Sequence, residues 1–258
     1  MISVIIPCLS THLNDTNLRQ AIASILDGTK IPDTIILVVS GIPVEFCIKK
    51  WKSIYKYLLK KYKFNNFKFI YEKKPIKCGK ARQIGLDNVD KKTKIVVFCD
   101  ADDTYHPQRL EVFLYFFNKY DIKAINHLFI PDSYNFENYN IERIPIIATQ
   151  EEIYNYYYSD KDNIKCRDVY YGEFLKKTIT DGHMCIKLPI NTRFYNTNSG
   201  CDTQFLYRLC KEYKKNIIIG ACLSKYSKFI HWMSREHKKK IELYDSIMCT
   251  EQARIKII

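Results

Sequence analysis

No stretch of this sequence stays apolar for anything near the roughly 20 residues that a membrane-crossing helix needs, so a transmembrane span is not expected. A charged n-region followed by an apolar h-region is also missing. The first β-branched run already begins at Ile2, which leaves no room for a signal peptide. These two absences give the expectation of a cytoplasmic protein. The abrupt start is equally what a domain of a longer polypeptide has. The ten cysteines include no C-x-x-C pair, which argues against a zinc ribbon. Several sit in apolar runs, as Cys99 does after Ile95-Val96-Val97-Phe98, and read as small core residues in a reducing compartment. Disulfides between distant cysteines stay open. Internal repeats and low-complexity linkers are absent. Acidic residues are scarce: 28 Asp and Glu stand against 41 Lys and Arg, a formal net charge of +13. That balance suits polyanions, phosphate-bearing small molecules or an anionic surface, without choosing among them. Lys, Asn, Ile and Tyr are the residues that AT-rich coding favours, so genome composition contributes to the charge.

What is present is an ordinary globular balance, with 47% hydrophobic and 27% charged residues. A chain of 258 residues suffices for one large α/β domain, or at most two small ones. Strand and helix patterns alternate over the first half. Ile2–Ile6 reads as a buried strand stopped by Pro7, and Leu18, Ile22, Ile25 and Leu26 follow at helical spacing. Thr34–Val39 is a second strand, and Phe46, Trp51, Ile54, Leu58 and Tyr62 mark a second helix. Phe67–Tyr71, a helix over Gly79–Asn88, a strand over Lys94–Cys99 and a helix opened by Pro107 complete the series. This order predicts a mostly parallel sheet with helices on both faces, its ligands bound at the carboxyl ends of the strands. After about residue 130 the pattern turns irregular, and Pro131–Tyr171 reads as an insertion with some edge strands. A short strand over Met184–Leu188, a helix over Asp202–Tyr213 and a short strand over Ile217–Ile219 follow.

Four constellations carry chemistry. The apolar run Val96-Val97-Phe98-Cys99 ends in Asp100-Ala101-Asp102-Asp103. Three carboxylates in four positions repel one another unless a cation or protons compensate them. Hard oxygen ligands at a strand end suit Mg²⁺ or Mn²⁺, with a nucleotide diphosphate completing the shell. The plainer reading is a polar turn in which Asp103 caps the next helix. Gly200-Cys201-Asp202 opens an amphipathic helix, where the dipole favours a carboxylate. Asp202 is either a general base for an acceptor hydroxyl or an N-cap. Arg82, in Gly79-Lys80-Ala81-Arg82, can meet a phosphate or a base carbonyl. His231, after Phe229-Ile230, is a candidate metal ligand or phosphate donor, and His237 a weaker one.

In order and spacing these segments resemble a GT-A-fold glycosyltransferase of family 2. Ser3-Val4-Ile5-Ile6-Pro7 resembles that family's first strand and nucleotide loop, and Asp100-Ala101-Asp102 its D-x-D motif. Gly79-Lys80-Ala81-Arg82-Gln83-Ile84-Gly85 is similar to its segment of Gly, Ala, Arg and Asn ahead of a final Gly. Gly200-Cys201-Asp202 resembles its G-E-D segment, whose Asp is the catalytic base, and His231 stands where the family often has a late metal- or diphosphate-binding His.

The resemblance implies a single GT-A domain over 1–258, Rossmann-like, with a mostly parallel central sheet flanked by helices. Its nucleotide-sugar half would be 1–106 and its acceptor half 107–258, with an irregular insertion at about 131–182. It implies an inverting hexosyl transfer from a nucleotide-diphosphate sugar, with UDP the expected nucleotide, to a glycan or protein acceptor. Nucleic acid is not an expected partner. Mn²⁺ or Mg²⁺ would be held by Asp100, Asp102 and His231, and Asp202 would be the base. Pro7, Cys8, Leu9, Ser40, Arg82, Asp100, Ala101 and Asp102 would line the donor site. Two departures stand out. Where relatives end the second strand with Asp-Asp-Gly-Ser, this chain has Val38-Val39-Ser40-Gly41, so Ser40 is the candidate neutral contact to the base. Cys201 replaces the Glu of G-E-D. Two rival readings are a sugar-phosphate nucleotidyltransferase and a basic nucleic-acid-binding module. The first normally has Gly and a basic residue in the loop after the first strand, and Pro7–Asn14 has neither Gly nor Lys. Neither rival explains the two acidic segments together.

Overall fold

A computed structural model describes residues 1–9, 13, 16–41, 44–131, 135–149, 183–196 and 201–226. Among these residues the centre is a nine-stranded sheet. Its first part alternates as the sequence predicts: β1 Ile2–Leu9, α1 Thr16–Leu26, β2 Thr34–Ser40, α2 Val44–Tyr62, β3 Phe67–Glu72, α3 Cys78–Asp87 and β4 Ile95–Phe98. There follow β5 Thr104–Tyr105, α4 Arg109–Lys119, β6 Ala124–Pro131, β7 Ile146–Thr149, β8 Cys185–Lys187, α5 Cys201–Tyr213 and β9 Asn216–Tyr226. The strand order is β3-β2-β1-β4-β8-β6-β9-β5, with β7 also paired to β9. Strands β1 to β4 run parallel to one another, and β8 enters antiparallel between β4 and β6.

The even alternation of side chains along β1 and β2 divides the core. Val4, Ile6, Ile35, Leu37 and Val39 face one layer, built with α1, α2 and α4. Ile5, Ile36 and Val38 face the other, built with α3 and α5 through Ala81, Phe205, Leu206 and Leu209. Helices therefore cover both faces. At the outer edge, Trp51 of α2 stacks on Phe69 and meets Phe67 edge-on, both with ring centroids 5.4 Å apart.

Several boundaries differ from the sequence expectation. β1 does not stop at Pro7. It continues to Leu9, with Pro7 in register beside Val38. The Ile5 carbonyl accepts from Cys99 N–H on the β4 side, so Pro7, two residues on, turns its missing N–H to that same side. The β4 pairing ends at Phe98 opposite Ile5, so no ladder bond is lost there. β9 is 11 residues long rather than the three of Ile217–Ile219. β6 was not anticipated at all. Its Asn126 and His127 are buried, which breaks the apolar pattern by which buried strands are recognised. The proposed insertion at 131–182 is described only at 131 and 135–149, where β7 is an edge strand.

Candidate active site

The carboxyl ends of β1, β2 and β4 meet at one edge of the sheet, as parallel topology requires. At the end of β4 the chain turns sharply through Asp100, Ala101, Asp102 and Asp103 before β5. The turn is anchored from below by Arg109 of α4, whose guanidinium is buried. It donates to the Phe98 carbonyl at 3.0 Å, to the His183 carbonyl at 2.7 Å and to Cys99 Sγ at 2.8 Å. Tyr105 Oη donates to the Asp100 carbonyl at 2.9 Å. Acidic side chains are thereby presented from a fixed backbone.

α3 packs closely on β1 and on the Tyr195 backbone, and its two glycines permit it. A Cβ on Gly85 would lie 2.4 Å from Ile5 Cγ2, and one on Gly79 would lie 2.1 Å from the Tyr195 carbonyl oxygen. With α3 seated so deep, Arg82 is 2% exposed and reaches the acidic turn. Its Nη2 donates to Asp100 Oδ1 at 2.8 Å, and its Nη1 donates to Cys201 Sγ at 3.3 Å and stands 3.8 Å from Asp202 Oδ2. One guanidinium thus spans the strand-end acid and the carboxylate at the start of α5. Burial penalises the charge on Arg82, but Asp100 and Asp202 more than offset it and keep the group firmly protonated.

His183, immediately before β8, closes the cluster. Its Nε2 stands 2.9 Å from Asp103 Oδ2 and 3.5 Å from Asp100 Oδ2, and its Nδ1 lies 2.9 Å from Ser224 Oγ. Burial pushes the imidazole down, but hydrogen bonds and charge from Asp100 and Asp103 reverse that and raise its pKa. Burial likewise pushes Asp100 up, and the Arg82 and His183 cations overcome it and hold the carboxyl below the ordinary range. One ligand atom each from Asp100, Asp103 and His183 lies within 4.8 Å of the others. Two carboxylates from one fixed turn and an imidazole from the start of β8 fit a divalent cation, and the nitrogen ligand suits Mn²⁺ better than Mg²⁺.

The structure brings together Arg82, Asp100 and Asp202 of the expected residues, with Ala101 buried in the turn and Asp102 half-buried beside it. Asp103 pairs with His183 rather than capping α4, which begins at Arg109. Pro7, Cys8 and Leu9 end β1, where Leu9 is exposed and Cys8 buried. Ser40 is buried, and its Oγ accepts from the Ile76 N–H at 3.3 Å. Gly41 follows with φ of 126°, a backbone suited to glycine. His231, His237 and Gly200 lie outside the described residues. Sequence reasoning missed His183 and Arg109. The one available signal was His183 directly ahead of the short strand that reads as Met184–Leu188.

Residues 3–180 match the profile of glycosyl transferase family 2. The chain belongs to this family. The family 2 domain is similar in fold to S. aureus TarS 1-349 (TM-score 0.59, 12% identity, 88% of this chain and 60% of that one). TarS 1-349 in complex with UDP gives a TM-score of 0.58 at 12% identity, over 93% of this chain and 62% of that one. The complex with UDP-GlcNAc gives 0.59 at 12% identity, over 88% and 58%. The chain therefore spans about three-fifths of the length of those TarS structures, and at this identity the likeness concerns the fold. No curated protein matches the family 2 domain. Among the described residues, no helix is long and apolar enough to cross a membrane.

Proposed function

We propose that this family 2 domain transfers a sugar from a UDP-sugar to a hydroxyl group of a glycan or protein, with inversion at the anomeric carbon. The observation that carries the reading is the Arg82 bridge, 2.8 Å from Asp100 and 3.8 Å from Asp202. It sets the acidic end of β4 beside the carboxylate that opens α5, so a donor at the first lies within reach of a base at the second. TarS has been crystallised with UDP and with UDP-GlcNAc, which supports a uridine nucleotide here.

Each residue has a distinct task. Asp202, at the helix start and partly exposed, takes the proton of the acceptor hydroxyl as its oxygen attacks. Arg82 keeps that carboxylate in place and compensates Asp100. Asp100, Asp103 and His183, with Asp102 beside them, would hold a divalent cation, whose chemistry is to neutralise the leaving diphosphate. The ends of β1 and β2, at Pro7 to Leu9 and Ser40, would receive the nucleoside.

The test is nucleotide release from a panel of sugar nucleotides, with Mn²⁺, with Mg²⁺ and with excess chelator. UDP release from a UDP-sugar, supported by Mn²⁺ and abolished by chelator, is the expected result. Undiminished turnover in excess chelator removes the cation. Release from GDP- or CDP-sugars alone removes the uridine assignment.

A further inference from the structure

α3 and α5 both start at the candidate site, and each starts with a cysteine, Cys78 and Cys201. The two helix starts lie against each other at Gly79 and Cys201, which sets the two thiols close enough to influence each other. Cys201 is 2% exposed and its sulfur also accepts from Arg82 Nη1 at 3.3 Å, whereas Cys78 is half-buried and reachable from solvent. The backbones here are as close as glycine allows, since a Cβ on Gly79 would lie 2.8 Å from Cys201 Cβ. The neighbouring Cys78 thiol draws the Cys201 thiol down to about 7 against its burial, and the Arg82 cation adds to this. The same influence and burial push Cys78 up. The Arg82 guanidinium, 3.3 Å from Cys201 Sγ, favours a thiolate at Cys201 and makes it the nucleophilic sulfur of the pair.

We propose that Cys78 and Cys201 are an oxidisable dithiol that closes to a disulfide across the starts of α3 and α5 and so switches the site off. The switching half rests on the transferase reading above; the dithiol does not. With a peroxide as oxidant, the Cys201 thiolate attacks one peroxide oxygen. An S–O bond forms, the O–O bond breaks, and the departing hydroxide takes a proton to become water. Cys78 sulfur then attacks the Cys201 sulfenic acid. The S–S bond forms, the S–O bond breaks, and the hydroxide leaves with the Cys78 proton as a second water. Two thiols lose two electrons and the peroxide gains them. Bonding at about 2.05 Å draws the sulfurs well inside hydrogen-bond distance. That pulls Cys201 from Arg82 and displaces Asp202, the next residue in the chain.

The experiment treats the full chain with stoichiometric hydrogen peroxide or with dithiothreitol. It then maps peptides without reduction and measures UDP release in parallel. A Cys78–Cys201 cross-linked peptide should appear with peroxide. Activity should fall by about 100-fold, the scale of an ångström's misplacement at a reacting site, and return on reduction. Cys78→Ser should keep the basal rate, form no cross-link and lose the reversible inhibition. Cys201→Ser should also form no cross-link, which guards against a folding defect in one variant. Cross-links from Cys201 to another cysteine, or none at all, overturn the dithiol. A Cys78–Cys201 cross-link with full activity overturns the switch. Absence of transfer from every donor in the reduced protein overturns the transferase reading, and with it the switch, while the peptides still decide the dithiol.

Discussion

Gly85→Ala is the sharpest mechanical test of how α3 carries Arg82 to the acidic turn. The added methyl would lie 2.4 Å from Ile5 Cγ2 and 3.3 Å from both Ile5 Cγ1 and Cδ1. Carbon atoms rest at about 3.5–4.0 Å, so the closest contact must open by about 1 Å or more. Ile5 is fully buried in the middle of the sheet and has nowhere to swing. Overpacking of this kind costs about 1–3 kcal/mol, and the better helix propensity of Ala returns about 1 kcal/mol. A severe clash belongs at the upper end, so the net loss should be about 1–2 kcal/mol, read as a lower urea midpoint at unchanged slope. The consequence for the site is larger. A helix displaced by about 1 Å opens the 2.8 Å contact between Arg82 and Asp100, so UDP release should fall while the protein is still folded. Ile5→Ala removes all three of these atoms, at its own cost of about 2–5 kcal/mol. In that background Gly85→Ala should be neutral or stabilising, and the double-mutant cycle isolates the contact. If Gly85→Ala in the parent chain is as stable and active as the parent, the close approach of α3 to β1 has been misjudged.

Two further outcomes follow from the site. Asp202→Asn keeps size and helix position but removes the basic carboxylate, so transfer should drop by roughly 100-fold or more while UDP affinity, read by calorimetry, hardly changes; transfer near the parent rate assigns the base elsewhere. Ser40 offers only a neutral hydrogen bond worth about 0.5–1.5 kcal/mol, so the preference for UDP over CDP, GDP and TDP should be modest, and Ser40→Ala should narrow it. A preference of several hundredfold that survives Ser40→Ala would remove Ser40 from base recognition.

The first half of the fold was legible because its elements are periodic and locally punctuated. The apolar runs of β1, β2 and β4 and the spacing of Trp51, Ile54 and Leu58 in α2 are set by neighbours in sequence. The acidic turn was legible for a related reason: three carboxylates at the end of a buried strand are costly unless they serve something. Illegible features depend on distant partners. Asn126 and His127 interrupt the pattern of β6 and are buried only because β8 and β9 flank that strand. β9 runs on past Gly220, where the backbone N–H donates to the Pro145 carbonyl at 2.9 Å. Asp103 looked like a cap because nothing local announces His183, which reaches it through the pairing of β8 with β4. The bridge that buried Arg82 makes between Asp100 and Asp202 joins residues far apart in sequence, and nothing local announces it.

The place of β8 between β4 and β6 matters for the order in which the chain can fold. β1 to β4 assemble through short crossovers, but the open side of β4 stays bare until Cys185–Lys187 arrive from far along the chain to pair with Ile95–Val97. Phe98 N–H likewise waits for the Met184 carbonyl, 3.0 Å away. An apolar strand with an unsatisfied edge is a template for pairing with other chains, and such long-range closure is slow. Docking of residues 183–187 is what covers that edge in the folded protein. Because His183 arrives with that same segment, protecting the edge and completing the acidic cluster are one event. The strand that shields the edge is thus also the one that sets His183 against Asp103.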